Sequence, residues 1–330
     1  MKLRRALVTL LGLGLAAGLT GCAGGTPAPP ASSTTSAGTP TATAATPMTH
    51  QFTDDLGNPV VVASTDRVVA TMGSFANMWE LAGGTLVGAT TDAAQDYTLT
   101  SPDVAPVGDF TAPNVEQIIA LNPDFVLMTS AAGGRGTSGA GQVDLRPSLV
   151  AAGIPVAYFA VTTFADYQRM MGILTDITGR KDLYEQNCAA VSRQIDGIVA
   201  SMPSASPTVL LMTTYSGGTS VQNSKTMTGA MLADLGVTNL ADQNPSLLKD
   251  FSLESIIAAN PDFILVVPMG NDVDAATKNL QAATAANPAW ASLDAVKNGR
   301  YVTLDPALFL YKPNANWGQS YQILHDILVK

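Results

Sequence analysis

Histidines, cysteines and paired carboxylates build most catalytic and metal centres, and this sequence holds few of them in usable arrangements. In 330 residues there are two histidines, His50 and His325, and two cysteines, Cys22 and Cys188. No G-x-S-x-G elbow occurs, neither histidine is placed to serve a nucleophile, and no carboxylate pair has a spacing that singles it out, so no catalytic residue is assigned. The same scarcity leaves no imidazole or thiolate set for a bare transition-metal site. Gly134-x-Gly136-x-x-Gly139 matches a dinucleotide fingerprint as a string. It sits in the glycine-rich run GGRGTSGAG, however, and the next predicted strand, near Pro155 to Val161, ends without the acidic residue that would hold a ribose. Ser224-Lys225-Thr226 lacks the glycine that a phosphate loop places before its lysine. Neither an enzyme nor a resident cofactor is expected. The chemistry that remains is binding by aromatic and basic side chains, and acylation at a cysteine near the N-terminus.

That cysteine follows Lys2, Arg4, Arg5 and an uncharged apolar stretch from Ala6 to Leu19. This is the basic start, apolar core and small-residue exit of a secretory signal. The apolar run is shorter than the roughly 20 residues that a membrane-spanning helix needs. The exit, Leu19-Thr20-Gly21-Cys22, resembles the lipobox of bacterial lipoproteins, which implies a signal over residues 1–21, a diacylated Cys22 and an extracytoplasmic protein anchored to the cell membrane. Residues 22–50 are nearly all Ala, Gly, Pro, Ser and Thr, a composition that reads as a disordered tether.

About 280 residues follow, enough for two lobes with a substantial core. Removing Lys2, Arg4 and Arg5 takes the formal charge from −9 to −12, which argues against nucleic acid as a partner and against a protein lying flat on anionic lipid. Cys188 then has no disulfide partner and reads as a small buried hydrophobe.

A repeat sets the architecture. VEQIIALNPDFVL, from Val115 to Leu127, and LESIIAANPDFIL, from Leu253 to Leu265, agree at nine of thirteen positions. Each copy has a cap residue, Asn114 or Ser252, a glutamate in the first helical turn, an Asn-Pro stop and a continuous apolar run of the kind buried on both faces of a parallel sheet. Strands at Val68–Thr71 and Leu86–Ala89, with a helix through Trp79 between them, precede the first copy. A strand at Val209–Met212 and a helix through Met231 precede the second. Between the halves the spacing predicts a helix over Phe164–Thr178 closed by Gly179, then another from Asp182 to Ser201 with Tyr184, Cys188, Val191, Ile195 and Ile198 on one face, stopped by Pro203. The reading is an α/β protein of two Rossmann-like lobes with parallel-rich sheets, residues 51–163 and 204–330, joined through connecting helices at 164–203, with a ligand cleft between the lobes.

Two such lobes joined by one helix, carrying the phrase PNVEQIIALNPDFVL and its echo, resemble the binding proteins of ABC importers for ferric siderophores, haem and cobalamin. The resemblance implies a solute-binding lipoprotein, a monomer, that delivers a small molecule to a permease dimer. It places Glu116 and Glu254 against permease arginines. It puts the ligand where loops at the carboxyl ends of the strands converge. On those loops Tyr97, Phe110, Arg135, Arg146, Tyr215, Lys225, Phe309, Tyr311, Lys312 and Trp317 are the candidates to stack on or pair with a large, oxygen-rich ligand. The low arginine content favours a hydroxamate or mixed siderophore, or a corrinoid, over a strongly anionic catecholate complex; iron or cobalt would arrive only inside the chelate. A single helical crossing implies modest lobe adjustment on binding. A tethered receptor for a sensor partner and an exported hydrolase stand as alternatives.

Overall fold

The computed structural model describes residues 49–330 except 131–140, 250–251, 271–272 and 286. Cys22, the leader, nearly all of the tether, and Arg135 with the glycine run lie outside the described residues. An antiparallel hairpin, β1 (His50–Thr53) and β2 (Pro59–Val62), opens the described chain. The N-terminal sheet has the order β5-β4-β3-β8-β9 and is parallel throughout: β3 (Val68–Ala70), β4 (Leu86–Ala89), β5 (Ala105–Pro106), β8 (Phe125–Thr129) and β9 (Val156–Phe159), with the small pair β6 (Gly108–Asp109) and β7 (Ala112–Pro113) beside it. The C-terminal sheet has the order β11-β10-β13-β14, from β10 (Thr208–Tyr215), β11 (Gly218–Gln222), β13 (Phe263–Pro268) and β14 (Tyr301–Thr303); β12 (Thr238–Asn239) also pairs with β10. Only β11 runs antiparallel there.

The two repeat strands, β8 and β13, are buried at every residue and flanked on both sides by parallel partners, as their unbroken apolar runs predict. Their preceding helices match as well. Asn114 Oδ1 accepts from the Glu116 and Gln117 amides, and Ser252 Oγ from the Ser255 amide, at 3.0 to 3.2 Å. The Asn-Pro stop works through the left-handed region: Asn122 and Asn260 have φ of 46° and 45°. Asparagine tolerates this conformation, and it turns the chain directly into Pro-Asp. The aspartate then ties down the strand that pairs with its own. Asp124 accepts from the Asp66 and Arg67 amides ahead of β3, and Asp262 from the Thr208 amide and hydroxyl at the start of β10.

Three apolar clusters divide the interior. One lies on the N-terminal sheet and contains Ile118, Val126 and Tyr158; a second lies on the C-terminal sheet and contains Ile256, Ile264 and Trp290. The third and largest runs through the opposite faces of both sheets and joins the halves, from Phe75, Trp79 and Phe125 through Tyr167, Met171 and Cys188 to Leu211, Leu265, Trp317 and Tyr321. The connecting helices supply its middle. Phe164–Thr178 starts on a capping box of Thr163 and Asp166 and ends at Gly179 with φ 71°. The second segment runs helically from Lys181 to Ala200, but with a π turn at Glu185–Ala189 that the apolar spacing did not foresee. The extra residue in that turn lets Asn187 and Cys188 both point inward, where Asn187 Nδ2 donates to the Leu81 carbonyl at 3.0 Å. Burial pushes the Cys188 thiol up to about 12, as expected of a packing residue. No helix among the described residues is long and apolar enough to cross a membrane.

Candidate ligand-binding site

In the N-terminal sheet, Thr71 and Thr90 directly follow strands β3 and β4 and Thr129 ends β8, all three buried. Gln142 locks this edge. Its Nε2 donates to the Thr71 carbonyl at 2.6 Å and the Phe110 carbonyl at 2.8 Å, while its Oε1 accepts from the Thr129 amide at 3.1 Å and the Thr71 hydroxyl at 2.5 Å. Tyr158 donates to the Gln142 carbonyl, and burial raises its phenol to about 12. One glutamine thus binds two strand ends and the Phe110 loop. A glutamine in a loop carries no periodic pattern, so sequence reasoning missed it.

The helix after β3, α1 (Gly73–Leu81), meets the turn after β4 end to end. The Gly73 amide donates to Asp92 Oδ2 at 2.7 Å, and a Cβ on Gly73 would stand 2.7 Å from the Ala93 amide nitrogen, so only glycine fits this approach. On the C-terminal side Gly229 packs as tightly, since its Cβ would collide with the Asn223 carbonyl.

The halves touch through the segment after Phe309. The Tyr97 hydroxyl donates to the carbonyls of Tyr311 and Lys312. Asn314 Nδ2 donates to the Ser74 carbonyl at 3.0 Å and to Asn77 Oδ1 at 2.9 Å. A cavity of about 290 Å³ lies here, with Asn77, Asp96 and Tyr97 on one side and Leu308, Lys312 and Asn316 on the other. Lys312 forms no ion pair among the described residues. Dense packing strips water from its ammonium and lowers its pKa to about 8, against the opposing pull of Asp92. A smaller hollow of about 130 Å³, between Thr213, Gln222, Thr226 and Phe309, marks the carboxyl ends of the C-terminal strands. Two larger cavities, of about 560 and 450 Å³, lie by Arg300 and Lys330 and by Trp290 and Tyr301, next to the opposite end of β14, and share no residue with either.

The candidates therefore separate. Tyr97, Tyr311 and Lys312 come together between the halves. Phe110 is half-buried beside the Gln142 brace, Tyr215 closes β10 with its ring against Gly217, and Lys225 is exposed on its loop. Arg146 lines a groove with Pro59 and Val61 beside the hairpin, where the chain turns into a helix. Two aromatic candidates need correction. Trp317 is fully buried, with ring centroids 5.8 Å from Phe164 and 6.2 Å from Tyr167; as the first residue of the last helix, Trp317–Leu328, it faces the connector and offers a ligand no surface. Phe309 is likewise buried in the core. Glu116 and Glu254 are both exposed and unpaired among the described residues, each in the first turn of its capped helix. No three of the described His, Cys, Asp or Glu side chains converge as a metal site.

Two sheets whose carboxyl ends frame a polar and aromatic cleft, with a helical crossing between them, define a bilobal binding protein. The chain belongs to the periplasmic binding protein family, whose model matches residues 68–308. Its members are binding proteins and not enzymes. The chain is 25% identical over 214 residues to the ferric-anguibactin-binding protein FatB of Vibrio anguillarum, a match covering 62% of this chain and 63% of that relative's length. Its fold resembles that of the siderophore-binding protein BauB, bound to two acinetobactin molecules and ferric iron, with a TM-score of 0.67 at 20% identity over 85% of this chain and 98% of that one. It also resembles IsdE of S. aureus complexed with heme, with a TM-score of 0.63 at 22% identity over 80% and 99%.

Proposed function

We propose that this protein is the solute-binding lipoprotein of an ABC importer, which captures an iron-siderophore or corrinoid ligand between its lobes and presents it to a permease dimer. The observation that carries the reading is the junction of Tyr97, Tyr311 and Lys312 across a cleft framed by two parallel sheet ends, in a family of binding proteins. Cys22 is the lipidation site and holds the protein at the outer face of the membrane.

The ligand class follows from charge. Among the described residues Lys312 is the cation of the inter-lobe cavity, and Asp92 and Asp96 stand beside it. Arg146 lines a separate groove, and Lys225 stands in solvent. So little positive charge among the described residues suits a ferric complex of low net charge, of hydroxamate or mixed type, better than a multiply anionic catecholate. Calorimetric titration with ferric hydroxamates, mixed-donor ferric siderophores, ferric catecholates, haem and cobalamin tests this. Saturable submicromolar binding of one of the first two, or of cobalamin, is expected, and silence across the panel overturns it.

Glu116 and Glu254 are the docking residues, one from each lobe. In cells, Glu116→Lys with Glu254→Lys abolishes uptake while the purified protein keeps its ligand affinity. Impaired ligand binding by that variant would make the glutamates structural.

A further inference from the structure

The segment Tyr311–Asn314 holds a backbone that it would not adopt alone. Lys312 and Asn314 have φ of 59° and 48°, two left-handed residues around Pro313. Lysine gains nothing there from its own side chain, and a residue before proline is further restricted. Such a conformation persists only where its surroundings over-determine it. Beyond two backbone bonds within its own lobe, Tyr311 to Pro306 and Asn316 to Pro313, those surroundings belong to the other lobe: Tyr97 holds the Tyr311 and Lys312 carbonyls, and Ser74 and Asn77 on α1 hold the Asn314 amide.

The same junction is only half satisfied. Asp92 Oδ1 and Asn314 Oδ1 are buried without partners, and the Lys312 ammonium lies close enough to Asp92 to feel its charge yet does not pair with it. Gln142, by contrast, uses its full bonding capacity, while Thr90 Oγ1, Arg146 Nε, Tyr167 Oη and Trp317 Nε1 are other buried atoms without partners, none of them on the strained segment. A partly satisfied buried polar cluster resting on a strained segment has a second arrangement within reach, in which the segment relaxes and these groups meet water or one another.

We infer that Tyr97 and Asn314 are positioning residues, forming with the 311–314 segment a latch that sets the lobe separation, and so the aperture of the ligand cleft, before any ligand binds. This rests on the binding-protein reading only for its use, since the latch itself is defined without ligand. Release of the latch frees the 311–314 segment to leave its left-handed conformation. Asn314→Gly removes the amide yet tolerates the backbone, and Tyr97→Phe removes a single hydroxyl.

The test measures the lobe separation of the ligand-free full chain, carrying Cys22→Ser, by pulsed electron resonance between spin labels at Ile119→Cys and Lys278→Cys, both exposed positions on opposite lobes; Cys188 is buried and escapes labelling. The unsubstituted latch should give one narrow distance distribution. Asn314→Gly and Tyr97→Phe should each add a shifted population, in protein whose near-ultraviolet circular dichroism is otherwise native. If Asn314→Gly does not fold, Tyr97→Phe decides by the same reading. An unchanged narrow distribution in folded Tyr97→Phe overturns the latch. Because no ligand is present, failure of the proposed ligand class cannot produce that result.

Discussion

The two lobes repeat each other in one motif and differ around it. Within the motif, Asn114 and Ser252, Glu116 and Glu254, Asn122 and Asn260, and Asp124 and Asp262 occupy the same places in the same helix, turn and strand, down to left-handed φ values one degree apart. At the carboxyl ends of the strands the resemblance stops. The N-terminal lobe is locked by Gln142, while the C-terminal lobe has an antiparallel strand, β11, beside β10 and no matching brace among the described residues. The interior follows the same division: each repeat helix covers a cluster private to its lobe, and the shared cluster is built from segments that are not alike. A duplicated motif suits two equivalent contacts with a symmetric partner. Strand ends that differ between the lobes suit one small ligand that has no symmetry to match.

The sharpest way to break this comparison is to remove the N-terminal lobe's brace. Gln142→Ala strands the Thr129 amide and the Thr71 and Phe110 carbonyls together, and the loss should be about 3 to 5 kcal/mol of unfolding free energy. Chemical denaturation should show it, while Gln222→Ala on the other lobe, whose side chain bonds only to Ser220, should cost less than about 1 kcal/mol. Equal losses would mean that the strand ends are not differently built.

Lys312 comes next, with the opposite sign. Its folded pKa of about 8 lies below the ordinary 10.5, so the folded state holds this proton more weakly than the unfolded chain. The resulting penalty is complete below about pH 8, fades as pH rises from there to 10.5, and is absent above. Lys312→Met should therefore stabilise the protein at pH 7 by about 2 kcal/mol, allowing for partial solvent access, and should remove the rise in stability across that window. Thermal unfolding of both proteins between pH 7 and 10 checks it; a destabilised Lys312→Met would show that the ammonium is paired in solution.

These two residues also mark where sequence legibility ends. The repeat was readable because helix caps, the Asn-Pro stop and fully apolar strands depend on neighbours in the chain. Gly179 and the ends of Phe164–Thr178 are likewise set locally, and the structure reproduces them. Gln142, Asn314 and the π turn at Asn187 depend on partners 13 to 240 residues away, and nothing in the local pattern distinguishes them from surface polar residues. Trp317 shows the converse failure: an aromatic residue beside a cleft loop looks like a ligand platform until the direction of its helix is known. The hairpin at His50–Val62 carries little signal in the sequence because its strands are short and half-exposed.

Smaller effects test the half of the comparison that claims equivalence. Asp124→Ala and Asp262→Ala each release amides that tie one parallel strand to another, and each should cost about 2 kcal/mol, as expected for bonds to a carboxylate. A several-fold disparity in denaturation midpoint would show that the two turns do different work despite their shared sequence. The glutamates should matter least to stability. Glu116→Gln and Glu254→Gln remove only a charge near a helix N-terminus, worth about 0.3 to 1 kcal/mol, because Asn114 and Ser252 already cap the amides. Retaining an exposed, unpaired carboxylate at the same turn of both lobes has little value for folding. If the single glutamine variants melt within a degree or two of the parent while each lowers uptake, the carboxylates serve a partner, and the duplicated motif is where that partner binds.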